Sequence, residues 1–431
     1  MVRVDPPDAR LILASGSPRR RAFMEAAGVA VALRPVDLDE APHPGEDPLT
    51  CCRRLARAKA QAGHLMAPTT GLEWSLGSDT VVTLDGRNLG KPADAGEALA
   101  MLRDLCGRTH QVITAWALAH RGGRVEVGES VTSVTFRPAG DAELAAYVAT
   151  GDPLDKAGAY GIQSGAGRFV VDVQGSFDGV VGLPLAEVCA ELERLGIVTF
   201  PHGLAPRLAR VRSQIAGAAV AAGRDPASVT LIGVTKGQSV AALEEAVRLG
   251  LRDLGENYIQ EWQGKAAALP SGPAWHFIGH LQRNKARFAA EHATRIHSVD
   301  SARLARTLGE AARAAGRILP ILVEVNLADE ASKSGISPAK LPDFMEEIRQ
   351  IEGVGLEGLM AIPPALPPAE TRPWFARLRA LRDALAAPTH PLPHLSMGMS
   401  GDFREAIAEG ATLVRVGTAI FGARGFRSQK S

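Results

Sequence analysis

The chain has 431 residues, 46% of them hydrophobic and 22% charged, with a formal net charge of +1. That length suits two or three globular domains of ordinary composition, and the near-neutral balance leaves no global field to favour nucleic acid or a membrane surface. No apolar run approaches the ~18 residues of a membrane span, and the N-terminus MVRVDPPDAR has no apolar core of a secretory signal. Cys51, Cys52, Cys106 and Cys189 show no CxxC spacing, and they read as free thiols in a reducing cytosol, so a cytoplasmic protein is expected.

The first predicted strand, LILAS, runs into a proline and three arginines in LILASGSPRRR. Pro18 suits the first turn of a helix and Ser17 its N-cap. Such a helix start collects free N–H groups and the positive dipole end, which favour an anion. Arginines there oppose the dipole unless an anion compensates them. Three readings stay open: a nucleic-acid patch, a solvated basic helix start, and a bidentate grip by Arg19 and Arg20 on a phosphorylated small molecule.

Further strands are predicted at ALRPV, LGSDTVVTL, QVITAWALAH, RVEVGESVTSVTFR and RFVVDVQGS. Helices are predicted at RRRAFMEAAG, DPLTCCRRLARAKAQAG, DAGEALAMLRDL, DAELAAYVAT and from Leu185 to Leu195. This is a mixed α/β domain without regular alternation. DLDEAPHPGEDP carries Asp39 and Glu40 in a loop, and LGSDTVV sets Asp79 in the middle of an apolar strand. A carboxyl there is costly to bury unless it is metal-bound, hydrogen-bonded or protonated. Lys59 lies on a helix and Lys91 precedes a proline in LGKP. Carboxylates that hold Mg²⁺ and activate water, with cations that neutralise phosphates, are the inventory for polyphosphate hydrolysis. Each of these residues alone also reads as a surface charge. Tyr160 reads as a base-stacking ring or as a packed core tyrosine.

Residues 10–198 resemble the Maf family of nucleotide pyrophosphatases. The matching segments are LILASGSPRRR, the DE of DLDEAP, RLARAKAQAG, SDTVV, LGKP, GDPLDKAGAYGIQ and VVGLPL. The resemblance implies metal-dependent hydrolysis of a nucleoside triphosphate to the monophosphate and diphosphate. It implies Asp79 as proton acceptor and places Arg19, Arg20, Glu40, Lys59 and Lys91 in the catalytic site. Arg19, Thr80, Gln163 and Lys156 fall on positions tied to substrate choice, and Glu40 with Asp79 would hold Mg²⁺ or Mn²⁺. DKAGAYGIQ is similar to the subgroup acting on dTTP and UTP; Gln163 offers a donor and an acceptor to a pyrimidine edge. The chain departs from the family in GDP for GEP and in Ser164, where glycine usually follows the glutamine. A homodimer is a further expectation from this resemblance.

VTFPHGLAP, residues 198–206, has two prolines and no helical period and reads as an inter-domain linker. A helix follows from about Pro206 to Ala222. Eight strands are then predicted in alternation with amphipathic helices: VTLIGVTK, RDLGEN, WHFIGH, TRIHSVD, ILPILVEVNL, VGLEGLM, HPLPHLSMG and TLVRVGTAIF. Eight such units within roughly 220 residues fit a β/α barrel; a doubly wound open sheet is the alternative. Barrel chemistry sits at the C-terminal strand ends. Those ends supply Lys236, Asn257, His276 to His280, Ser298, Asn326, Met360, Ser396, Ser400, Arg415 and Gly417. Lys236 reads as a Schiff-base lysine or as a solvated rim lysine. LSMGMSGDF and LVRVGTAIFG follow strands seven and eight, where barrels frequently bind phosphate. A lysine on strand one and a phosphate cradle on strands seven and eight that face one rim are what pyridoxal phosphate requires.

Residues 205–425 resemble the pyridoxal phosphate homeostasis protein family, in VTKG, GENYIQE, WHFIGHLQRNK, IHSVDS, VNLADEASKSG, GLMAIPP, LSMGMSGDF and VRVGTAIFG. The resemblance implies a (β/α)8 TIM barrel of the fold-type III kind, like the N-terminal domain of alanine racemase. Lys236 would be the Schiff-base residue, and Asn257, His276, Ser400, Arg415, Gly417 and Thr418 map to the cofactor pocket. Arg415 would face the pyridine nitrogen and keep it unprotonated, which weakens the ring as an electron sink. Tyr258 stands where the family often has arginine. The family lacks the second domain that completes a racemase site, and the chain ends at Ser431, so a cofactor carrier is expected rather than a racemase.

The expected organisation is a tail at 1–9, a Maf-like domain at 10–198, a linker at 199–204, a barrel at 205–427 and a tail at 428–431. The expected function is bifunctional: dTTP/UTP pyrophosphatase, with modified pyrimidine nucleotides as further substrates, joined to a pyridoxal 5'-phosphate homeostasis module. The expected partners are the nucleoside triphosphate and the cofactor, with neither nucleic acid nor membrane. Two alternatives remain, an active racemase in the barrel and a Maf half that regulates cell division by binding.

Overall fold

The computed structural model describes residues 5–66, 70–269, 272–330 and 334–422. The expected tail 428–431, the last barrel residues 423–427, the first four residues and positions 331–333 of VNLADEASKSG lie outside the described residues. By its contacts the chain divides into two compact units, Met1–Pro226 and Ala227–Ser431.

Among the described residues the first unit is built on a seven-stranded mixed sheet. Its strands are β1 (Leu11–Leu13), β2 (Val31–Leu33), β3 (Trp74–Leu84), β4 (Arg87–Leu89), β5 (Thr109–His120), β6 (Val125–Phe136) and β7 (Val170–Gln174). The order is β2-β1-β3-β5-β6-β7, with β4 hairpinned on β3. β1 is parallel to β2 and β3, and the other pairs are antiparallel. The helices are α1 (Pro18–Ala26), α2 (Pro48–Leu65), α3 (Ala95–Leu105), α4 (Asp141–Val148), α5 (Phe177–Val181), α6 (Leu185–Arg194) and α7 (Leu204–Ala221). β4, α5 and three 3-10 turns between Asp152 and Phe169 escape the sequence reading, because three to five residues are too few to show a period.

Small residues set how closely α2 lies on the sheet. A Cβ at Gly77 of β3 would stand 2.4 Å from the Ala56 carbonyl oxygen and the Ala60 nitrogen. Only a residue without a side chain lets the helix backbone approach that far. Cys52, Ala56 and Ala60 pack here on Val81, Ile113 and Ala115. The other side of the sheet covers Leu102, Phe136, Tyr147, Phe169 and Phe177.

The sequence reading assigns α7 to the barrel domain, but its packing lies in the first unit. Val220 is buried in the same cluster as Phe177 and Val181, with Ala216 against it. Gly217 lies over Val173 and Phe177, and the Ser213 hydroxyl accepts the Asp178 amide at 3.1 Å. The face of α7 that carries Ser213, Gly217 and Val220 therefore packs on the elements around β7 and α5.

The second unit is a closed parallel barrel. Its strands are β8 (Thr230–Val234), β9 (Asp253–Glu256), β10 (Ala274–Phe277), β11 (Arg295–Val299), β12 (Leu319–Glu324), β13 (Val354–Met360), β14 (His394–Ser396) and β15 (Leu413–Val416). β15 closes on β8 through Leu413 to Val416 against Thr230 to Gly233. All eight lie inside segments predicted as strands, apart from the first residue of β10. The last strand is shorter than predicted, because the chain turns into a helix at Thr418–Phe421. Closure rules out the open-sheet alternative.

Candidate functional sites

In the first unit the chain gathers the charged candidates of the sequence at one cavity of about 220 Å³. Ser17 caps α1 by accepting the Arg20 amide, which sets Arg19 and Arg20 at the cavity edge. Arg20 is half-buried and fixed by bonds to the Gly182 carbonyl at 2.8 Å and the Ser15 hydroxyl at 3.3 Å. Burial pulls its pKa down, with the charge of Asp79 the main opposing influence. Arg21 points away, in an exposed pair with Glu25.

The close approach of α2 at Gly77 brings Lys59 beside Asp79. Lys59 Nζ stands 2.7 Å from Asp79 Oδ1 and 2.5 Å from Glu40 Oε1. Lys91 reaches the other Glu40 oxygen at 3.3 Å. Burial works against the charge of Glu40, but the bonds from Lys59 and Lys91 outweigh it and hold the carboxyl below its ordinary range. Thr80, next along β3, bonds to the Thr114 hydroxyl at 2.9 Å. Thr114 spends its own hydrogen on the Gly179 carbonyl at 2.7 Å. Thr80 is therefore the donor in their pair and keeps acceptor capacity for the cavity.

Lys156 and Gln163 come from the short connections between the 3-10 turns after α4. Lys156 bonds to Asp155 Oδ1 at 2.6 Å and to the Asp152 carbonyl oxygen at 2.6 Å. The hydroxyls of Tyr147 and Ser164 both donate to Asp152 Oδ2 at 2.5 Å. The departures GDP and Ser164 thus meet in one bond. Tyr160 is a core residue. Its hydroxyl bonds to His110 Nε2 at 2.8 Å, its ring packs edge-on against Phe136, and one edge lines the cavity.

All nine sequence candidates in this half, Arg19, Arg20, Glu40, Lys59, Asp79, Thr80, Lys91, Lys156 and Gln163, line this cavity. Its lining carries five cations against three carboxylates, Asp155 being the third, a surplus suited to an anionic ligand. Glu40 and Asp79, both held on one ammonium, are hard oxygen donors of the kind Mg²⁺ or Mn²⁺ takes. Among the described residues no three His, Cys, Asp or Glu are grouped to hold a metal by themselves. Sequence reasoning missed Gly77, Thr114, Asp155 and the Gly179 and Gly182 carbonyls; a glycine two residues before the strand aspartate is the one signal that pointed there.

In the barrel, Lys236 is half-buried in the turn after β8. Asn257 follows β9, and its side-chain oxygen is buried without a hydrogen-bond partner. After β14 and β15, the Gly417 and Ala419 amides converge on the Ser400 hydroxyl at 3.3 and 3.4 Å. Bonds that long leave the amides able to turn to a phosphate oxygen. Thr418 is exposed beside them. Arg415 is buried, donates to Ser396 Oγ at 2.5 Å and to the Ala361 carbonyl at 3.1 Å, and has its pKa pulled down to about 10 by burial. His276 is taken up inside the barrel, bonded to His297 at 2.9 Å and to Asp253 at 3.0 Å, and His297 bonds to Ser396 at 2.8 Å. Glu324, ending β12, was not singled out in sequence; burial and the neighbouring Asp300 raise its pKa. The orphan oxygen of Asn257, the amide pair and the lysine fit an aromatic aldehyde phosphate.

A mixed-sheet unit with a cation-rich anion cavity, followed by a parallel barrel with a lysine and an amide cradle at strand ends, defines a two-domain fusion of a nucleotide-hydrolase fold and a cofactor-binding barrel. The chain belongs to the Maf-like protein family through residues 10–195 and to the alanine racemase N-terminal domain family through residues 208–425. It is 47% identical over 191 residues to the dTTP/UTP pyrophosphatase of Chromobacterium violaceum, covering 44% of this chain and 96% of that one. It is 47% identical over 229 residues to the pyridoxal phosphate homeostasis protein of Pseudomonas aeruginosa, covering 53% and 99%. Among solved structures, PipY of Synechococcus elongatus with PLP bound matches 50% of this chain and 98% of its own at 42% identity, with a TM-score of 0.46. Among the described residues no helix is long and apolar enough to cross a membrane.

Proposed function

We propose that the first unit hydrolyses a nucleoside triphosphate, dTTP or UTP, to the monophosphate and diphosphate. The observation that carries this is the convergence of Arg19, Arg20, Glu40, Lys59, Asp79, Lys91 and Lys156 on one cavity. Water adds to phosphorus as the anhydride bond between the first and second phosphates opens. Asp79 takes the proton of that water through the carboxylate oxygen that Lys59 leaves available. Arg20, held by Gly182, neutralises charge on the leaving diphosphate without reorganising. Arg19, Lys91 and Lys156 meet the remaining phosphate oxygens, and Gln163 and Thr80 read the base and sugar. A divalent metal on Glu40 and Asp79 would supply further charge neutralisation. The test is a nucleotide panel with diphosphate detection on wild type and Asp79→Asn. Preference for dTTP and UTP with at least a hundredfold loss in the variant is expected; undiminished hydrolysis by the variant would refute the assignment.

The barrel, in the same reading, holds pyridoxal 5'-phosphate on Lys236 for homeostasis. Asn257, Ser400, Gly417 and Thr418 would hold its polar edge and phosphate, and Arg415 would face the ring nitrogen. When bound, the group supplies an electrophilic aldehyde and an electron sink. Borohydride reduction of the loaded chain should label Lys236, and amino-acid racemisation should be absent. A label elsewhere would remove the assignment; racemisation would favour the enzymatic alternative.

A further inference from the structure

Behind Lys236 lies a buried ion cluster whose members Glu256 and Glu261 fall in the GENYIQE segment but were given no role from sequence. Glu256, the last residue of β9, is fully buried, and Lys265 in the following helix, Ile259–Ala268, is nearly so. Lys265 Nζ donates to Glu256 Oε2 at 2.7 Å, to the Thr235 carbonyl at 2.7 Å and to Glu261 Oε2 at 2.8 Å. That spends all three of its hydrogens. The Thr235 hydroxyl donates to the same Glu256 oxygen at 2.6 Å. The Gly237 amide donates to Glu261 Oε2 at 2.8 Å, and the Asn257 amide to Glu256 Oε1 at 3.0 Å.

Both chain neighbours of Lys236 are therefore fastened to one cluster, and so is the backbone of Asn257 at the end of the adjacent strand β9. A buried ion pair of this kind contributes little net stability, since apolar replacements of similar volume are often as stable or more so. What it does fix is direction. Residue 237 has φ +73°, so the chain reverses sharply just past Lys236, and any slack there would swing the lysine side chain.

We propose that Glu256 and Lys265 are positioning residues that hold the turn 235–237, so that the Lys236 amine meets the cofactor in one orientation and one electrostatic setting. The proposal rests on the reading of Lys236 as the cofactor lysine.

The test uses the full chain carrying Lys265→Met, Glu256→Gln or Glu261→Ala. Each variant is titrated with pyridoxal 5'-phosphate across the neutral to alkaline range, following the visible band of the lysine-bound cofactor. Lys265→Met and Glu256→Gln should weaken binding about tenfold to a hundredfold and move the pH midpoint of the band, while circular dichroism stays native. Native binding and an unmoved midpoint in both would overturn the proposal, whatever their melting temperatures. Should the buried variants not fold, Glu261→Ala, partly exposed, carries the test: a shifted midpoint supports the clamp and an unshifted one refutes it. A wild-type chain that borohydride does not label at Lys236 would overturn the underlying reading instead.

Discussion

Lys59 Nζ lies 2.7 Å from Asp79 Oδ1, with both side chains about nine-tenths buried. The lysine comes from α2 and the aspartate from the middle of β3, so the pair joins the helix to the sheet at the point where water activation is proposed. Lys59→Met would leave the Asp79 carboxylate buried without its cation. Losing one partner of such a pair costs about 3–5 kcal/mol. Urea denaturation of the first unit should show that loss, and adding Asp79→Asn should recover part of the stability but none of the hydrolysis.

Gly77→Ala should act on the same pair from a distance. The new methyl would sit 2.4 Å from the backbone of Ala56 and Ala60, so α2 must move outward and carry Lys59 with it. Overpacking of this kind costs about 1–3 kcal/mol. The melting temperature should fall, and kcat should fall by more than KM changes.

Stability should also depend on pH through two buried groups of the first unit. Burial pushes the Asp178 carboxyl up to about 7 from an ordinary 3.8, with Glu187 adding to the rise and Arg212 opposing it. Between those values the unfolded chain has lost its proton and the folded chain keeps it, so stability falls as pH rises from 3.8 to about 7. Asp178→Asn should therefore stabilise the unit by roughly 2–4 kcal/mol above that window and change little below it. His110 acts in the other sense, because burial lowers it from 6.5 to about 4. The unfolded chain then takes up a proton that the folded chain refuses, and stability is lost as pH falls through that interval. Melting temperatures of both forms across pH check both signs.

Ser396→Ala should cut the polar chain through the barrel. With both rings neutral, one direction satisfies every atom: Arg415 donates to Ser396, Ser396 to His297, His297 to His276 and His276 to Asp253. Removing the hydroxyl leaves a guanidinium N–H and an imidazole nitrogen buried without partners, at about 1–3 kcal/mol each. Equilibrium unfolding of the barrel should register the loss.

Chelation should silence the nucleotide site if Glu40 and Asp79 hold a metal as proposed. Dialysis against EDTA should abolish hydrolysis and added Mg²⁺ or Mn²⁺ should restore it. Glu40→Gln should raise the metal concentration needed by about tenfold or more. Full activity after chelation would leave charge neutralisation to the lysines and arginines alone.

Much of the architecture was legible because alternation and helical periods are local. The eight barrel strands and the long strands around Asp79 could be read from their apolar patterning. The 3-10 turns that flank Lys156 and Gln163 could not, since so short an element has no period. The placement of α7 was equally hidden. From Leu208 onward its sequence lies within the match to the barrel family, while Val220 and Ser213 find their partners in the first unit.

By itself the sequence determined two domain types, the nine polar candidates that line the first cavity and the carboxyl buried in an apolar strand. These follow from composition, pattern and motif along the chain. Only the tertiary structure decided that one ammonium serves both Glu40 and Asp79, that Thr80 faces its cavity as an acceptor, and that Glu256 and Lys265 stand behind Lys236. Each of those is a contact between segments well separated in the chain or a hydrogen-bond direction set by a third group. Such relations depend on how closely helices and strands pack, which here turns on positions as small as Gly77.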